Sequence, residues 1–83
     1  MNCEIAWEGR AAKEFDALPE IVRERIFSAL ALLAIESRGD VRPLHGREGM
    51  FRLRVGEYRV LFVRVGGTLV VQRVASRGSA YKE

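Results

Sequence analysis

Residues 50–63, MFRLRVGEYRVLFV, constrain the fold of this chain more than any other stretch. Phe51, Leu53 and Val55 alternate with Arg52 and Arg54, the period-2 pattern of a strand with one buried face. Gly56-Glu57 suits a two-residue type II′ turn, because glycine accepts positive φ at the first central position. Beyond it, Tyr58, Val60 and Phe62 lie on one face and Arg59, Leu61 and Val63 on the other. Folding about this turn sets Val55 against Tyr58, Leu53 against Val60 and Phe51 against Phe62, so one face is apolar throughout. The opposite face sets Arg54 across from Arg59, with Arg52 two residues along. Like charges directly opposite each other destabilise a strand pair. Three guanidiniums kept on one sheet face point to a surface that meets an anion.

The whole chain has 83 residues, which predicts one domain over 1–83 with all elements sharing a single core. Its 48% apolar and 30% charged residues fit a folded globular chain rather than a disordered one. No apolar run approaches the ~20 residues of a membrane span, so no membrane partner is expected. The opening MNCEIAWEGR has neither the basic region nor the apolar region of a signal peptide. Cys3 is the only cysteine, which excludes an internal disulfide and fits a reducing, cytoplasmic setting.

The net charge of +3 is unevenly spread. Residues 1–37 hold four basic and seven acidic side chains, whereas residues 38–83 hold ten basic and four acidic ones. A basic half of this kind favours RNA, DNA or an acidic protein as partner. A plain solvated surface is the alternative reading of the charge alone.

In chain order, Asn2–Glu8 alternates weakly and reads as a short strand at one side of the sheet. Gly9 breaks it. Arg10–Leu18 reads as a short helix, with Ala11, Ala12, Phe15 and Leu18 at helical spacing. Pro19 is tolerated only in a first helical turn, so a second helix begins around Leu18–Glu20 and runs to about Ser37. Val22, Ile26, Ala29, Leu30 and Leu33 form its apolar stripe. Phe27, Leu32 and Ile35 widen that arc, so its C-terminal half is expected to be buried on most sides or to meet a partner. Gly39 is expected to stop the helix. Asp40–Gly49, with Pro43, Gly46 and Gly49, reads as a loop. Gly66-Gly67 is a second hairpin turn, and Thr68–Val74 a central strand, apolar on both faces, whose register a bulge could shift. The expected architecture is α+β, ordered β-α-α-β-β-β, with a helical hairpin on one face of a small, mainly antiparallel sheet.

The strings KEFDALPEIVRERI, VRPLHGREGMFRLRVGEYRVLF and ASRGSAY resemble the RelE/ParE toxin superfamily, and its RelE-type branch in particular. The PLHG and FRLRVGEYRV segments are the specific part. The resemblance covers nearly the whole chain. It implies the toxin of a type II toxin–antitoxin system: a ribosome-dependent endoribonuclease that cleaves mRNA in the A site without metal or other cofactor. The implied partners are a cognate antitoxin protein, the ribosome and mRNA. Operator DNA would be met only indirectly, through the antitoxin.

Carried over by position, the implied catalytic set is Arg52, Arg54, Arg59, Arg77 and Tyr81. Metal-free RNA cleavage needs a proton taken from the 2′-OH, a stabilised phosphorane and a protonated 5′-oxygen. Guanidinium forks match phosphate oxygens and suit the middle task, which assigns the main clamp to Arg59 with Arg52 and Arg54 beside it. Arg77 would sit near the leaving group. Some relatives carry lysine where this chain has Arg52 and Arg54, and arginine stays protonated. Tyr81 is then the candidate proton acceptor, or a platform for a displaced base. His45 reads as a solvated loop residue, and Trp7, Phe15 and Cys3 as core. Two other readings stay open: a ParE-type inhibitor of DNA gyrase, and a catalytically weak homologue that mainly binds its antitoxin.

Overall fold

The computed structural model describes residues 3–76. Among these, β1 (Glu4–Trp7) leads into α1 (Gly9–Asp16) and α2 (Glu20–Glu36), and then into β2 (Asp40–Pro43), β3 (Met50–Val55), β4 (Tyr58–Val65) and β5 (Thr68–Ser76). The strands form one sheet in the order β1-β5-β4-β3-β2. All neighbours are antiparallel except β1 and β5, which run parallel. The expected α+β layout holds, with one correction. Asp40–Pro43, read as the start of a loop, is a strand that pairs with β3 from Asp40↔Arg54 to Pro43↔Phe51. Only Val41 of those four residues points at the core, too little alternation to announce a strand. Pairing with β3 supplies what local pattern lacks.

Both hairpins form as the turn chemistry requires. Gly56 takes φ +58° between Val55 and Tyr58, which face each other. Gly66 takes φ +60° between Val65 and Thr68. The β3–β4 register is the expected one throughout, and the Phe51 and Phe62 rings stack with centroids 5.7 Å apart.

Pro19 caps α2, and its carbonyl accepts the amides of Val22 and Arg23 at 3.0 Å. The Arg23 side chain donates back to the Leu18 carbonyl. The far end of α2 departs from expectation. Ser37 rather than Gly39 takes the left-handed cap conformation (φ 57°), and its amide bonds the Leu33 carbonyl at 2.9 Å.

One face of the sheet packs on the helices. Ile26, Leu30 and Ala34 of α2 and Ala11 of α1 meet Leu53, Val60, Phe62, Leu69, Val71 and Val74, all of them buried. Each large aliphatic side chain so buried contributes about 1.5–3 kcal/mol. Trp7 and Phe15, 4.7 Å apart between ring centres, pack against this cluster, as does Cys3. The rest of the apolar arc of α2 is not covered. Ile21, Phe27, Leu32 and Ile35 remain 68%, 54%, 42% and 56% exposed, so the expectation of burial on most sides fails and that of a partner is left. A two-layer molecule covers one side of a helix only.

Candidate functional site

The face of the sheet turned away from the helices carries the arginines. Side chains alternate along a strand, so residues opposite one another across a ladder share a face. One row across the sheet reads Arg42, Arg52, Leu61, Arg73 on β2, β3, β4 and β5. The adjacent row reads Asp40, Arg54, Arg59, Ala75. Three of the five expected site residues, Arg52, Arg54 and Arg59, therefore meet on one face, from two strands. Arg54 is exposed, while Arg52 and Arg59 are half-buried, with their stems against the sheet. Arg77 and Tyr81 lie outside the described residues. His45 is exposed in the loop between β2 and β3, as expected.

Two further arginines join the face. Arg42 was hidden by the reading of Asp40–Gly49 as loop. Arg73 is brought there by a bulge in β5. The register of β4 against β5 shifts between Leu61 and Phe62: Leu61 pairs with Arg73 but Phe62 with Val71, leaving Gln72 extra. Val71 and Val74 are both buried, yet they stand three residues apart. A regular strand would put them on opposite faces, so the core can take both only if one residue is inserted between them. Gln72 and Arg73 are the consecutive pair that this insertion turns to the outer side. The V-Q-R-V spacing carried that signal.

The first helix fixes the bulge. Beyond Trp7 there is no β1 left to pair with β5, and Glu14 takes its place. Its carboxylate accepts the Val74 amide at 2.8 Å and the Arg73 Nε at 3.0 Å, with the Arg10 Nε 3.7 Å away. The Arg73 and Glu14 side chains are only 19% and 24% exposed, which screens the pair less than a surface one. Gln72 donates to Glu8 at 3.1 Å. Arg10, Arg47, Met50 and Leu61 complete the walls of a polar cleft there. The face is thus a basic groove with an apolar floor, and its guanidiniums suit bidentate contacts to oxyanions. A second pocket, more apolar, opens on the helix side among Cys3, Leu33, Val41, Phe51, Phe62 and Arg64, and none of the expected site residues lines it.

No protein-family profile matches the chain, and no curated protein matches it in sequence. Solved structures do match. A chain of the RelBE2 toxin–antitoxin complex from Mycobacterium tuberculosis superposes with a TM-score of 0.78 at 27% identity, over 93% of this chain and 100% of that one. A chain of the archaeal RelE–RelB complex from Pyrococcus horikoshii OT3 gives 0.77 at 23% identity, over 96% and 100%. The isolated RelE toxin of Escherichia coli gives 0.73 at 20% identity, over 94% and 87%. The helical hairpin and the five-stranded sheet are those of a RelE-type fold.

Proposed function

We propose that this chain is the toxin of a type II toxin–antitoxin pair and that it cleaves mRNA on the ribosome. The reading is carried by Arg52, Arg54 and Arg59 converging from β3 and β4 on one face. Likeness to toxins crystallised with their antitoxins supports the first half of it. In the reaction the 2′-oxygen attacks the adjacent phosphorus, the bond to the 5′-oxygen breaks, and a 2′,3′-cyclic phosphate is left. Arg59, half-buried and so held in place, clamps the non-bridging oxygens. Arg52 and Arg54 share the charge that builds on the phosphorane. The resemblance assigns Arg77 to the leaving oxygen, and Tyr81 to taking the 2′-OH proton or stacking on the base. The work is done in the cytoplasm, where the ribosomes are. The antitoxin covers the stripe of Ile21, Leu32 and Ile35 that α2 leaves exposed.

Induced expression followed by primer extension on cellular mRNA tests this. Cuts phased to codons are expected, and Arg77→Ala removes them. Growth arrest with DNA breaks and uncut mRNA would instead favour a gyrase poison.

A further inference from the structure

We infer that Arg42 binds the RNA phosphate next to the scissile one, so that the anion site extends from β4 across β3 to the β2 edge of the sheet. This rests on the cleavage reading above and adds to it a residue and a direction for the strand.

Arg42 is directly opposite Arg52, as Arg54 is directly opposite Arg59. Because Arg52 and Arg54 stand two apart on β3, both like-charged pairs lie on the same face. Each pair costs the sheet stability. Asp40 stands opposite Arg54 and offsets part of the second pair, but β2 has no other carboxylate, so the strip keeps a net positive charge at its Arg42 end that an anion relieves. Arg42 is exposed, and it makes no hydrogen bond or ion pair with a described residue. It therefore has no structural task that would explain its charge. It lies one strand spacing, ~4.8 Å, beyond Arg52, and two strands and two residues along from Arg59, which suits a contact to the neighbouring phosphate rather than to the scissile one. Among the described residues no strand lies beyond β2, so the sheet itself leaves that edge open to a single strand of RNA. On the opposite side stand Glu8, just before α1, and Glu14 within it, already engaged by Gln72 and Arg73.

The full chain, its R42Q variant and its R59A variant decide the matter in two measurements. In thermal melts without RNA, R42Q is expected to melt about 1–4 °C above the parent, because the repulsion with Arg52 is gone. In single-turnover cleavage of mRNA on programmed ribosomes, R42Q is expected to raise the half-saturating toxin concentration about fivefold. Its plateau rate stays within about twofold, and the gap narrows as salt is raised. R59A is expected to lose plateau rate. If R42Q saturates like the parent while R59A loses its rate, the contact at Arg42 is overturned and the cleavage reading stands. If the parent itself cleaves nothing, both fall. An R42Q variant that melts below the parent contradicts the argument from paired like charges.

Discussion

Arg54 stands directly opposite Arg59 across the β3–β4 ladder, on the face turned away from α1 and α2. Repulsion between them falls as salt shortens the screening length from ~10 Å at 0.1 M to ~3 Å at 1 M. Asp40 faces Arg54 from the other side and attracts it, so the repulsion is read in an Asp40→Asn background. There Arg54→Gln is expected to raise the melting temperature at low salt by about 1–4 °C, a gain that vanishes near ~1 M salt. Melts across a salt series check this. A gain that ignores salt would mean that charge is not the cause.

Glu14 serves both the Val74 amide and the Arg73 guanidinium. Glu14→Gln keeps an oxygen for the amide and loses only the charge. Glu14→Ala leaves the amide of a buried strand residue without its acceptor. We expect a loss of about 1 kcal/mol for the first and about 2–3 kcal/mol for the second, read by urea unfolding. Equal losses would show that the amide bond contributes nothing.

Gly56 holds φ +58°, and a Cβ added there would lie 3.0 Å from the Arg25 Nη2. The flexible Arg25 side chain can move aside, but the backbone strain stays. Gly56→Ala is expected to cost about 1–2 kcal/mol. Urea unfolding at constant slope checks it.

Leu32 and Ile35 lie 42% and 56% exposed on the outer side of α2. Leu32→Asp with Ile35→Asp is expected to leave the melting temperature within a few degrees and to weaken antitoxin binding at least about tenfold, read by calorimetric titration. Unchanged affinity would place the antitoxin elsewhere on the toxin.

The hairpin of residues 50–63 was legible because period-2 alternation and a glycine turn specify register together, and the register specifies which arginines share a face. Other parts were legible only in part. Asp40–Pro43 carries one inward side chain and a proline, so it becomes a strand through β3 rather than by its own pattern, and Arg42 went unseen with it. The β5 bulge follows from Val71 and Val74 standing three apart, but only once both are known to face the same core. Phe27, Leu32 and Ile35 read as burial because periodicity counts apolar residues without knowing how many layers cover them. Arg77 and Tyr81 lie beyond the described residues, and their part in the site rests on the resemblance alone.

Single-turnover cleavage of an mRNA held in the A site of purified ribosomes tests the central claim most directly, with the parent chain compared to Arg59→Ala. The account predicts codon-phased cuts by the parent, ending in a 2′,3′-cyclic phosphate. For Arg59→Ala it predicts a rate lower by at least about a hundredfold, with melting temperature and antitoxin binding retained. A variant that cuts as fast as the parent would contradict it.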